Sequence, residues 1–260
     1  MNTQPTTDLP GLRLAKRLAA QLSCSRNEAE RYIAGGWVRV DGQVVDLPET
    51  RVLPQQVVTL DAGARLEDLA PVTLLWHKPA GLQLPDGLHL PPPLAQDWFA
   101  DDRRSPADRS RTRPLRAHRQ RLQALLPLAS DESGLMVFTQ APGVARRLIE
   151  SAQDLEQEWL VDLPADVPAA GDTAQREGVL RSLAAPLSFD GRPLPPARPS
   201  WQSDRRLRLA IKGGLPGQVA FLLQRAGVPP AAMRRQRLGR IAVTGLDAGQ
   251  WRYLLSTERF

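Results

Sequence analysis

A chain of 260 residues, 42% of them hydrophobic, is long enough for two domains and too apolar for wholesale disorder. A net charge of +6 and an isoelectric point near 10.3 imply an anionic partner, and the dominance of arginine over lysine suits phosphate. A single cysteine, Cys24, excludes a disulfide framework within the chain, and His77, His89 and His118 are too scattered for metal-ligand spacing, so no metal is expected.

Met1 to Pro10 is polar and lacks the apolar stretch of a signal peptide, which predicts a flexible start. No run reaches the roughly eighteen apolar residues of a spanning helix, so a cytoplasmic protein without a membrane segment is expected. From Gly11 to Leu22, Leu14, Ala15, Leu18, Ala19 and Leu22 recur at helical spacing opposite Arg13, Lys16 and Arg17. Ser25 stands three residues before Glu28, the reciprocal cap of a second helix that carries Ala29, Tyr32 and Ile33 and stops at Gly35-Gly36. Trp37-Val38-Arg39-Val40 alternates, Asp41-Gly42 is a two-residue hairpin turn, and a further strand follows at Val57-Val58-Thr59-Leu60.

These fifty or so residues resemble the alpha-L (ribosomal-protein-S-four-like) RNA-binding domain, here at 11–62, on Ser25-Arg26, Gly35 and Val38-Arg39-Val40-Asp41-Gly42. The resemblance implies that Arg13, Lys16, Arg17, Ser25, Arg26 and Arg31 meet RNA backbone and shape rather than base sequence. A polar linker at 63–71 follows.

Val72-Thr73-Leu74-Leu75-Trp76 reads as a buried strand leading into His77-Lys78-Pro79-Ala80-Gly81. Residues 82–121 lack periodicity and gather Arg103, Arg104, Arg109, Arg111, Arg113, Arg116, Arg119 and Arg121, which predicts a mobile insertion that is either an RNA-ordering segment or a solubilising loop. The turn Leu128-Ala129-Ser130-Asp131-Glu132-Ser133-Gly134-Leu135 precedes an apolar strand, and Pro142 to Ala152 reads as an amphipathic helix. Strands are expected at Leu155 to Val161 and Leu207 to Ile211, an apolar helix after Pro216-Gly217-Gln218, and a strand at Met233 to Ile241.

With the Lys-Pro-Ala-Gly step, the Met233-Arg234-Arg235-Gln236-Arg237-Leu238-Gly239 stretch set against the family's Leu-x-Arg-Val-Arg-Ile-Gly strand, and the Leu246-to-Leu254 ending, this part resembles the bacterial ribosomal-RNA pseudouridine synthases that carry an alpha-L domain. The resemblance implies an α+β fold, in which a mixed, mostly antiparallel sheet with flanking helices surrounds a basic cleft at 72–260. It also implies chemistry without a cofactor and a ribosomal-RNA partner for a monomeric protein.

The family turn is Arg-Leu-Asp-x-Asp-Ser/Thr-x-Gly-Leu, with the catalytic aspartate five residues before the glycine, and here that position is Ala129. The arginine that would pair with the aspartate is absent as well: Gly217, Ala220 and Phe221 stand where the family's arginines fall. Loss of both partners is coherent, because an arginine buried without its anion would be costly. By the same resemblance Trp159, Gln218, Ser133 and Gly134 would line a base pocket, and Lys78, Arg116, Arg119 and Arg121 would contact RNA. Three readings stand at this point: an RNA binder with a neutralised site, an isomerase that recruits a displaced carboxylate such as Asp131, or a protein adaptor.

Overall fold

The computed structural model describes residues 11–87, 89–164 and 173–260. Helix α1 (Leu14–Leu22), preceded by the short strand β1 (Leu12–Arg13), buries Leu14, Ala15 and Leu18 and ends at Ser23 in the left-handed conformation. Helix α2 (Arg26–Ala34) begins with the predicted reciprocal cap: Ser25 Oγ accepts from Glu28 N, and Glu28 Oε2 accepts from Ser25 N. Strands β2 (Val38–Val40) and β3 (Gln43–Val44) join through Asp41 and Gly42, both at positive φ, as a two-residue turn requires. Strand β4 (Arg51–Val52) pairs with β1, and β5 (Val58–Leu60) completes a three-stranded sheet in the order β3-β2-β5.

Among the described residues, those up to Pro71 form one compact unit together with Arg113–Gln120; those of Val72–Thr112 and Arg121–Phe260 form the other. The detour of 113–120 into the first unit has visible causes. The Arg113 guanidinium lies 4.6 Å from the Trp37 ring centroid and donates to Gly36 O and to Asp61 Oδ2, while Leu115 and His118 are buried. The Arg116 amide donates to Asp46 Oδ2 at 2.5 Å.

The second unit is built on β6 (Thr73–Lys78), helix α3 (Pro92–Trp98), β7 (Gln123–Leu125), β8 (Glu132–Thr139), helix α4 (Pro142–Glu150) and β9 (Gln157–Asp162). It continues with α5 (Thr173–Ala184), the hairpin β10 (Leu187–Phe189) and β11 (Arg192–Leu194), β12 (Arg198–Ser203), β13 (Arg206–Ile211), α6 (Gln218–Arg225), β14 (Ala232–Leu238), β15 (Ile241–Ala242) and β16 (Trp251–Tyr253). Among the described residues nine strands make one sheet in the order β12-β13-β9-β14-β8-β6-β16, with β15 beside β14 and β7 beside β8. Only β14 with β8 is parallel, so the sheet is mixed and mostly antiparallel. One apolar cluster holds Trp76, Phe138, Trp159 and Leu209, with Leu222 of α6; a second holds Leu75, Leu135 and Val137, with Leu148 of α4.

Residues 82–121 carry packed elements, contrary to the sequence-based expectation of a mobile insertion. Helix α3 starts on prolines, which are preorganised for a first turn, and buries Ala95 and Trp98. Trp98 stacks on Trp76 with ring centroids 4.7 Å apart, and Phe99 meets Phe138 edge-on at 5.2 Å. Trp98 at the end of this seven-residue helix and Phe99 just after it supply the burial that a periodicity scan over so short a window does not register.

Candidate functional site

The turn 128–134 sits where β6, β8 and β14 come together. Gly134 has a φ of +108 and faces Arg235 across the parallel pairing; a Cβ there would lie 2.3 Å from Arg235 O. The backbone crossing therefore requires glycine.

Glu132 is fully buried at the start of β8. Its Oε2 accepts from Ala129 N at 2.8 Å and its Oε1 from Gly217 N at 3.2 Å. One carboxylate thus ties the position of the family's aspartate to the loop that opens α6. Burial pushes the Glu132 carboxyl above its usual range, while the two amides and the nearby Arg235 charge oppose the shift.

Lys78 is also fully buried and donates to three backbone carbonyls, those of Pro79, Ser130 and Glu132, at 3.1, 3.1 and 2.7 Å. Burial lowers it to about 8, against the attraction of Glu132 and Asp131. With three donors and three acceptors its hydrogen bonding is saturated, so it braces the turn and presents no charge to an RNA. Arg235 is 1% exposed and donates to Leu135 O, Leu126 O and Gln157 Oε1; burial brings it down to about 10.

Trp159, expected to stack on a base, is 2% exposed, with the Arg235 guanidinium 5.8 Å from its ring centroid. Gln218 is buried and its Oε1 accepts from Leu215 N, which closes the turn before α6. Ser133 Oγ donates to Met233 O. These three expected pocket residues, with Gly134 as the fourth, form a packed seam.

Open space lies elsewhere. A cavity of about 510 Å³ is lined by Leu128, Ala129 and Ser130 on one side and by Leu84, Asp86 and His89 on the other. Its size is that of a small-ligand pocket. Ala129 lines this space, and among the described residues no lysine or arginine lines it, nor does Glu132 or Asp131. Asp131 is exposed. Among the described residues there is no group of three or more His, Cys, Asp and Glu side chains that could hold a metal ion.

In the first unit, the expected RNA-facing cations divide into two kinds. Arg17 donates to Leu53 O at 2.6 Å and to Gln56 O at 2.5 Å, and Arg31 to Leu66 O at 3.0 Å with Asp68 beside it. Arg26 pairs with Glu30, and Ser25 is committed to its cap. Arg13 and Lys16 are exposed, and their side chains make no hydrogen bond or ion pair among the described residues. Arg116 and Arg121 are exposed and Arg119 is half-buried. Glu132 and Arg235 were the residues that sequence reasoning undervalued; a glutamate where the family pattern has serine or threonine was the available signal.

The S4 domain family matches residues 12–58. An uncharacterized RNA pseudouridine synthase of Mycobacterium tuberculosis is 28% identical over 263 residues, which span 95% of this chain and 91% of that protein. Ribosomal small subunit pseudouridine synthase A of Escherichia coli is 28% identical over 95% of this chain and 98% of its own length; the dual-specificity RNA pseudouridine synthase RluF is 23% identical over 95% and 77%. A crystal structure of a pseudouridylate synthase superposes with a TM-score of 0.52 at 19% identity, covering 95% of this chain and 97% of that one, so the fold is shared along nearly the whole chain.

Proposed function

We propose that this chain, an S4-domain member of the RNA pseudouridine synthase family, binds RNA without isomerising uridine by the family's aspartate route. One observation carries the reading: the cavity at the turn is lined by Ala129, whose side chain is a methyl, while the neighbouring Glu132 is fully buried under two backbone amides. A methyl can neither attack a ribose nor take up a proton. A carboxylate already aimed at two amides inside the protein is unavailable to a nucleotide.

The name of one relative, ribosomal small subunit pseudouridine synthase A, supports ribosomal RNA as the partner. The net charge of +6 supplies long-range attraction to it. On this reading the protein acts as a monomer in the cytoplasm and uses no cofactor.

The test incubates the purified chain with ribosomal RNA from cells that lack it, and measures both binding and pseudouridine formed. The expected result is salt-dependent binding with no pseudouridine. Repeated turnover that disappears in Asp131→Asn would overturn the proposal and assign the chemistry to Asp131.

A further inference from the structure

The stretch 104–112 in the second unit is held by an internal polar lock. The Asp108 side chain is 2% exposed: its Oδ2 accepts from Arg104 Nε at 2.8 Å and from Tyr253 N at 3.3 Å, and its Oδ1 accepts from Ser110 N at 2.8 Å. Arg104 also donates to Ser110 Oγ at 3.2 Å, and its guanidinium lies over the rings of Trp251 and Tyr253 at 5.9 and 5.2 Å. Ser105 is 3% exposed; its amide donates to Trp251 O and its hydroxyl to Gly245 O, both at 2.8 Å. Thr112 N closes the stretch on Ser110 Oγ at 3.1 Å.

Ser110 is therefore held through both its amide and its hydroxyl. The residues on either side of it, Arg109 and Arg111, are exposed and make no hydrogen bond or ion pair among the described residues. Arg111 sits at a φ of +56, a backbone conformation that a non-glycine residue keeps only where its surroundings impose it. Two residues apart, the two arginines have Cα atoms separated by at most about 7 Å. Burying a carboxylate and an arginine to fix a surface loop is costly for solubility alone, since a disordered arginine run would dissolve equally well.

We propose that Arg109 and Arg111, displayed on the loop that Asp108 locks, form a preorganised RNA-backbone contact separate from the S4 domain. The proposal rests on the RNA-binding reading above and adds a place and a pair of residues to it. Arginine's planar fork suits phosphate oxygens, and a loop already ordered loses less entropy when it binds.

The experiment measures the affinity of the full chain for a uridine homopolymer RNA across a salt series. Arg109→Ala with Arg111→Ala is expected to flatten the slope of log affinity against log salt by about 1.4, from roughly 0.7 per phosphate contact. Arg103→Ala, whose arginine already lies 3.5 Å from Asp97, is the control and should leave the slope in place. Asp108→Asn keeps both arginines but weakens the lock, so it should retain the slope and lose affinity by about fivefold; Ser110→Ala gives a milder version should Asp108→Asn fold poorly. Binding by the unmodified chain with an unchanged slope in the double variant would overturn this inference alone. A chain that ignores RNA at every salt concentration would overturn the RNA-binding reading and this inference with it, and equal binding to polyglutamate would replace RNA by an acidic protein partner.

Discussion

Glu132 and Ala129 are joined by a 2.8 Å hydrogen bond from the Ala129 amide to the Glu132 carboxylate, whose other oxygen accepts from Gly217. In the resembled family's pattern an aspartate at the position of Ala129 and an arginine at the position of Gly217, Ala220 or Phe221 would link the same two segments through side chains. In this chain a single buried carboxylate links them through backbone amides.

Restoring Ala129→Asp alone should recover little pseudouridine. The new carboxylate would lie beside the Glu132 charge, in a site without a cationic partner aimed at it, and would tend to take up a proton. Combining Ala129→Asp with Ala220→Arg and Glu132→Ser should exceed the single variant at least about tenfold, as expected of groups that act as a unit. Equal activity in the single and triple variants, counted as pseudouridine per chain, would remove the coupling argued here.

Gly134→Ala should abolish soluble folded protein. A Cβ at a φ of +108 is strained, and this one would meet Arg235 O at 2.3 Å and Arg235 N at 2.6 Å, both backbone atoms that cannot rotate away. Strain of about 1–3 kcal/mol from the dihedral alone is joined by separation of β8 from β14. A variant that melted within a few degrees of the unmodified chain would show that the crossing is looser than described.

How much of this was legible before the structure depended on distance along the chain. The Ser25–Glu28 cap and the Asp41-Gly42 turn involve neighbours, and both formed as read. Trp98 was missed because its partner, Trp76, lies beyond the window in which periodicity operates. The role of Glu132 depends on Gly217, which is 85 residues further on. The arginines of the S4 domain looked alike in sequence, and only the carbonyls of Leu53, Gln56 and Leu66 separate braced from free ones.

Stability should fall on acidification, and the sign follows from His118. Burial, reinforced by Arg119 and opposed by Asp46, lowers His118 to about 4 from an ordinary 6.5. A base whose folded pKa is depressed favours the fold when neutral, so its contribution is complete above pH 6.5 and is lost as the pH falls towards 4, by up to about 3 kcal/mol. His77, lowered by burial, acts in the same direction. Lys78, lowered to about 8, adds stability as the pH rises from 8 towards 10.5. Melting temperatures across pH 4–7 should flatten in His118→Leu, and an NMR titration placing His118 at or above 6.5 would refute the assignment.

The braced and free cations of the S4 domain should separate in a salt series. Arg13 and Lys16 are exposed and unpaired among the described residues, so each is able to displace one counterion from a phosphate. Arg13→Ala and Lys16→Ala should each flatten the slope of log affinity against log salt by about 0.7, with little change in melting temperature. Arg17 is different, because its two terminal nitrogens are held by Leu53 O and Gln56 O. Arg17→Ala leaves both carbonyls without their charged donor and should cost about 1–2 kcal/mol of stability while the slope stays where it was. The reverse result, a flattened slope in Arg17→Ala with unchanged melting, would mean that RNA pulls this arginine off its carbonyls and that bracing is no guide to contact.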